Sequence, residues 1–537
     1  MQARCPNCGL DVATPVTRFT DAPSPFRVLI STNGVASASD ADLLSHYLHG
    51  VEADISAQDD TIQHLEAALK RAQDERNRLQ DIFNSHASLR SSFRIFPPEV
   101  LTEIFQWAID VGEPPRLRGL IGDLSRIGAV CRLWRATVLS SPSLWASFSL
   151  SCVRNEGLMP LLQTVLDRSR EASLSVAWQP MYDLSEEEER GLLGRVLSTC
   201  QRWKHAQIEL VEDHKDIYAQ IRGRIPELER LELSGEDTTD VLGHGPSFDV
   251  FEVAPKLRTL ALSYGVFPVQ LTLPWTQITS LHIDRMMDQD DFGLVLSMTR
   301  NLQFLSMDPQ SEGCTANWEP DKTEDIVTHL SLRHIDSWDA ALLRAYNFPS
   351  LEELAVEAFG ERAAPVGDDR SAEDIFRDFL HRSGSPIKKL KLGFFNNRTI
   401  DFEVMFEKAF RLTHLDIALP CPTTAVDFFR ALVSTGGHDV LPELQSLKAD
   451  YTLKPYVKKE VNDIPTDVIV DMIISRRHAP STAVAEIQSV HITLPRFSMM
   501  SRMSFLSHLR TVPDLANLIL AKYEKDRTFI YMVQPSS

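Results

Sequence analysis

Apolar residues along this chain obey three successive patterns. From Leu48 to Phe83 they recur as a heptad. Leu48, Ile55, Ile62, Leu69, Arg76 and Phe83 hold one position, and Val51, Gln58, Leu65, Ala72 and Leu79 the other. Charged residues, among them Glu66, Lys70, Arg71, Asp74, Glu75 and Arg78, fill the intervals. This predicts one long helix within residues 45–90. Its seam calls for cover, either by self-association through residues 48–83 or by the chain's own fold. Gln58, Ala72 and Arg76 weaken it for self-association.

The second pattern covers residues 91–150. Pro97 and Pro98 suit a helix opening, where a missing N–H costs nothing, and Glu99 complements the positive end of the dipole. Val100, Leu101, Ile104 and Phe105 follow at helical spacing. After a proline- and glycine-bearing link from Asp110 to Gly122, a second helix is predicted from Asp123. Leu124, Ile127, Val130, Cys131 and Trp134 lie along its one face, which would bury Cys131. Leu144 and Trp145 close the segment. Roughly 50 residues cannot hide this much apolar surface alone, so the module needs a partner.

The third pattern is a phrase, apolar-x-x-apolar-x-apolar, that returns along the rest of the chain. It reads Leu228/Leu231/Leu233, Leu257/Leu260/Leu262, Ile278/Leu281/Ile283, Leu302/Leu305/Met307 and Val327/Leu330/Leu332. It continues through Leu351/Leu354/Val356, Ile387/Leu390/Leu392, Leu412/Leu415/Ile417, Leu444/Leu447/Ala449 and Ile487/Val490/Ile492, with Trp203/Ala206/Ile208 as an early member. Most spacings fall near about 25 residues, within the range of leucine-rich repeats with insertions. Each phrase predicts a short strand whose last two apolar residues point to one core. Amphipathic stretches such as Leu192–Leu197, Ile375–Leu380, Phe428–Leu432 and Val468–Ile473 predict intervening helices. Alternating strands and helices imply parallel strands stacked as a solenoid. Side chains between the inward positions must then face the opposite way. That set includes Arg230, His282, Phe304, His329, Lys389, Lys391 and His414. Long loops are expected at 309–323, 358–372 and 450–464, and a cap of helix Asp514–Tyr523 and strand Thr528–Val533 at the end.

Composition narrows the function. The 537 residues carry a formal charge of −19, which disfavours a general nucleic-acid binder and favours a protein partner. No apolar run approaches a membrane span, and the first 20 residues lack a signal-peptide core, so neither membrane nor secretion is expected. Seven scattered cysteines fit reduced thiols in cytoplasm or nucleus. Cys5 and Cys8 form a tight half-site of the zinc type, but His46 and His49 are its only candidate completion, and an unstructured tail is the simpler reading. With no Gly-rich phosphate loop, His-Glu-x-x-His or Gly-x-Ser-x-Gly present, neither enzyme activity, cofactor nor metal is expected.

The segment Pro97, Glu99, Val100, Leu101, Ile104, Phe105, Val130, Cys131, Trp134, Arg135, Leu144 and Trp145 resembles an F-box. It departs from that family in having Phe96 where Leu is usual, and in the longer link between its first two helices. The repeated phrases resemble the irregular leucine-rich repeats that follow an F-box in fungal and plant proteins, but lack the asparagine expected after each strand. The resemblance implies a non-catalytic, substrate-recruiting subunit of an SCF-type ubiquitin ligase. A Skp-type adaptor, and through it the cullin-based complex, would dock on Pro97, Val100, Leu101, Ile104, Phe105, Val130, Cys131, Trp134, Leu144 and Trp145. A protein substrate would bind the outward strand residues. A leucine-rich scaffold that binds the adaptor without acting in ubiquitylation is the alternative. The expected fold is α/β. It comprises a flexible segment 1–44, the long helix 45–90, a small all-α F-box-like module 91–150, an irregular parallel-strand solenoid 151–500 and a cap 501–537.

Overall fold

Heptad spacing without an interrupting proline yields α2 (Ala38–Ala87), a continuous helix of 50 residues that follows the short α1 (Arg27–Thr32). The Asp40 carboxylate accepts the Ser37 N–H at its start, meeting one of the helix's unsatisfied donors. The computed structural model describes residues 24–32, 34–90, 92–109, 114–151, 157–181, 183–235, 248–263, 265–284, 289–307, 326–337, 342–359, 372–384, 386–394, 400–419, 422–436, 439–450, 466–477, 484–495, 519–524 and 527–533. No α2 residue is buried among them. Ile55, Ile62, Leu65, Leu69, Leu79 and Phe83 each expose more than half their surface.

The chain forms two compact units, residues 1–101 and 102–537, divided within α3 (Pro98–Ile109). In the second unit α3 is followed by α4 (Leu117–Val130), α5 (Arg132–Ser140) and a 3-10 turn, Pro142–Trp145. The helix α4 starts six residues ahead of the predicted Asp123. Leu117 and Leu120 extend the buried stripe of Leu124 toward its N-terminus, which shortens the link. It also stops earlier, because Cys131 is extended (φ −159°, ψ 171°) and its sulfur accepts the Trp134 N–H. Cys131 is thus an exposed N-cap residue, not the buried mid-helix residue its spacing predicts.

A fifteen-stranded sheet makes up the rest. Its strands are β1 (Ser147–Leu150), β2 (Leu174–Trp178), β3 (Trp203–Glu209), β4 (Arg230–Ser234), β5 (Thr259–Ser263), β6 (Ser280–Asp284) and β7 (Phe304–Met307). After β8 (Val327–Thr328) come β9 (His334–Ser337), β10 (Tyr346–Asn347), β11 (Glu353–Phe359), β12 (Lys389–Phe394), β13 (His414–Ala418), β14 (Ser446–Asp450) and β15 (Ser489–Pro495). Strands β16 (Ile519–Glu524) and β17 (Arg527–Val533) complete the order. Neighbours run parallel in chain order from β1 to β15, except that β8 and β10 leave to form a small sheet of their own, and β17 then β16 add antiparallel at the end.

Apolar positions pair with apolar positions along the sheet, with register shifts only after Leu174 between β2 and β3 and beyond Val356 between β11 and β12. Leu231 pairs with Leu260, Leu260 with Leu281, Leu281 with Leu305, and Leu390 with Leu415. Each such buried leucine contributes about 1.5–3 kcal/mol relative to exposure. Helices cross between some strands, including α6 (Leu158–Ser169), α7 (Glu186–Leu197) and Ala372–Ser383, and 3-10 turns such as Trp275–Gln277 cross between others. Glu186, Glu187, Glu188 and Glu189 form the first turn of α7, and Ser185 with Glu188 makes a capping box. The mixture of crossings accounts for uneven spacing between phrases.

Three expectations change. The phrase at Val327 is out of frame. Leu332 and Ile335 are buried while Leu330 is 69% exposed, so the sheet strand is β9. The predicted terminal helix Asp514–Tyr523 is instead a strand over Ile519–Glu524, laddered to β17; inter-strand hydrogen bonds outweigh the marginal gain of a ten-residue helix. β1 and β2 precede the first phrase and extend the sheet toward the helical module. Cys5, Cys8 and most of the three expected long loops lie outside the described residues, although β11 runs on to Phe359.

Candidate interaction surfaces

The helical module is packed around residues that the resemblance assigns to adaptor docking. Phe105 is 2% and Trp145 6% exposed; Leu101 and Leu144 are buried too. The Phe105 ring lies against Trp134 at 4.8 Å, and Trp145 donates its indole N–H to the Val138 carbonyl at 2.8 Å. Phe105, Leu144 and Trp145 therefore belong to the module's own core. Ile104 and Trp134 are half-buried, and Pro97, Val100, Val130 and Cys131 are exposed. The large apolar groups that do face outward include Trp107 (80%), Val130 (61%), Leu133 and Leu139. Trp107 edges a groove of about 320 Å³ with Glu103, Gln106, Ile109, Pro115 and Ser143. Its signal in the sequence is an aromatic set just off the stripe of Leu101, Ile104 and Phe105.

The sheet presents a second surface. Outward residues align across strands: Ser147, Ser175, His205, Arg230, Thr259, Ser280, Phe304, His334, Glu353, Lys389, His414, Ser446 and Ser489 form one continuous row. The next row carries Glu232, His282, Asp336, Lys391, Asp416 and Lys448 among others. Of the substrate-binding candidates, Arg230, His282, Phe304, Lys389, Lys391 and His414 stand on these rows. His329 does not. It is buried off the sheet, its Nε2 2.9 Å from the Thr299 carbonyl oxygen, and burial lowers its pKa. His334 occupies the outward position expected of His329, with Asp336 two residues on, and the phrase Leu332-x-x-Ile335 was the signal for them.

Neighbouring strands couple through their side chains. Phe304 stacks on His334 (4.5 Å between centroids, 18° between planes), which gives this aromatic a local partner. His334 Nδ1 is 3.0 Å from one Glu353 oxygen, and Lys389 Nζ donates to the other at 2.6 Å. The lysine bond is the main reason that the Glu353 carboxyl sits below its ordinary pKa. Lys389 is thus a paired charge. Lys448 donates to Asp416 at 2.6 Å in the same manner.

At the β1 end, a cleft of about 1190 Å³ opens over β1–β5, bounded by Gln106, Pro114 and Ser143 of the helical module. Lys204, His205, Arg230, Lys256 and Arg258 line it, with Glu229 and Glu232. Burial first, then Lys204 and Arg230, hold the His205 pKa below its ordinary value. Four of these residues lay outside the phrases' outward set: Lys204 stands at the start of β3, and Glu229, Lys256 and Arg258 precede β4 and β5.

Among the described residues no group of three metal-ligating side chains converges, and no helix is long and apolar enough to cross a membrane. No family model matches the chain, and no curated protein matches it.

Proposed function

We propose that this chain is a non-catalytic, substrate-recruiting subunit of an SCF-type ubiquitin ligase, with the F-box-like helices docking a Skp-type adaptor and an irregular leucine-rich solenoid binding a protein target. The observation that carries this reading is the helical module itself. Its own core is filled by Phe105 and Trp145, yet Trp107, Val130 and Leu133 remain exposed. Tryptophan is among the residue types enriched at interface hot spots. In-register parallel strands with a long polar face support the solenoid reading. The exposed seam of α2 supports self-association through residues 48–83 in addition.

Co-purification tests it. The wild-type chain should bring down adaptor and cullin together. Trp107→Gln with Val130→Gln and Leu133→Gln should lose both at unchanged thermal stability. Phe304→Ser with Lys389→Ser and Lys391→Ser should retain both and lose target binding. Adaptor binding without cullin would favour the scaffold reading, and full adaptor capture by the first variant would overturn the docking surface.

A further inference from the structure

Resting on the reading of the sheet's polar face as the target-binding surface, we propose that the cleft over β1–β5 receives an extended, acidic segment of the partner protein. The chain as a whole has 55 lysines and arginines against 74 aspartates and glutamates. The cleft reverses that balance, with Lys204, Arg230, Lys256 and Arg258 against Glu229 and Glu232. Three of the cations already have internal partners. Lys204 lies 3.5 Å from Glu229, Arg230 2.6 Å from Glu232, and Lys256 2.6 Å from Glu227 outside the cleft. Arg258 has none. Its guanidinium donates only to the Pro255 and Leu257 carbonyls, and no carboxylate among the described residues pairs with it.

The geometry suits a peptide main chain. The Glu229 N–H donates to the Lys204 carbonyl and the Arg258 N–H to the Glu229 carbonyl, so these three residues stand one strand apart. Lys204 and Arg258 are then roughly 9.5 Å apart at the backbone, a span that carboxylates two to three residues apart reach in an extended segment. Beside them, Ser147, Ser173 and Ser175 give the β1–β2 side small hydroxyl-bearing side chains, over which a backbone can lie close. Glu229 and Glu232 can accept amide N–H groups from such a segment, whereas they would repel the uninterrupted charge of a phosphate backbone. The lining also holds no phenylalanine, tyrosine or tryptophan, the side chains on which single-stranded bases stack. These features favour protein over nucleic acid.

The test is fluorescence anisotropy on the full chain. The probes are labelled peptides of about twelve residues on one Gly/Ser/Ala scaffold, an extended length of roughly 40 Å, carrying spaced Glu, Gln or Lys, with a single-stranded oligonucleotide as the fourth. The Glu peptide should bind, weaken with added salt, and exceed the Gln and Lys peptides. Arg258→Gln with Lys204→Gln should weaken it by about tenfold or more, equivalent to about 1.4 kcal/mol. Lys408→Gln, a surface change elsewhere, should leave it intact. No Glu-peptide binding at low salt, equal binding of the Gln peptide, indifference to the double variant, or preference for the oligonucleotide would each overturn the proposal. Adaptor capture is measured on the same preparations. Peptide binding without adaptor capture would sink the ligase reading and leave the cleft standing; the reverse would do the opposite.

Discussion

Phe105→Ala is the perturbation that separates the module's core from its surface. The ring is 2% exposed and packs on Trp134. Removing most of a buried ring, together with the aromatic contact and the cavity left behind, costs about 3–5 kcal/mol. Val130→Gln with Leu133→Gln removes side chains that are 61% and 38% exposed, and surface changes of this kind usually stay within about 0.5 kcal/mol each. Both variants should fail to capture the adaptor, for different reasons. Hydrogen exchange followed by mass spectrometry distinguishes them. Phe105→Ala should lose protection across residues 98–145, whereas the double variant should match wild type there. If Phe105→Ala keeps full protection, the ring is not part of a packed core. If the surface pair loses it, Val130 and Leu133 are structural, and the division drawn between core and docking residues fails.

Arg476 is fully buried, and its guanidinium donates to the carbonyls of Leu432, Val440 and Leu441. Arg476→Met leaves those acceptors without their donor and should cost about 3 kcal/mol, read as a lower unfolding midpoint in urea; an unchanged midpoint would refute the anchoring role. His329 is buried with its pKa lowered, so protonation favours the unfolded chain. Its contribution is complete above the ordinary histidine value of about 6.5 and is lost as pH falls below it toward the lowered one, at most about 1.4 kcal/mol per pH unit. Thermal unfolding of His329→Gln should accordingly show a shallower acid loss than wild type, and identical profiles would contradict this. Ile62→Asp with Leu69→Asp should abolish any dimer seen by sedimentation while leaving the unfolding midpoint of residues 102–537 unchanged; a dimer that survives does not use the α2 seam.

Periodic patterns were legible in the sequence because they are local and repeated. A heptad specified the long helix, and a recurring apolar phrase specified parallel strands, since each copy restates which side chains lie on one face. Tertiary structure decided what periodicity leaves degenerate. Leu330 and Leu332 are both apolar and two apart, yet only contact with the neighbouring strands selected the frame that buries Leu332 and Ile335 and puts His334, not His329, on the outward row. Phe105 and Trp107 are both aromatic and two residues apart in sequence. Packing against Trp134 took one into the core and left the other at 80% exposure. The segment Ile519–Glu524 fits a helix by spacing and became a strand because β17 offered a hydrogen-bonding edge. The cleft was least legible of all. Lys204, Arg230 and Arg258 are separated by tens of residues in the chain, and only the parallel register of β3, β4 and β5 brings their charges together.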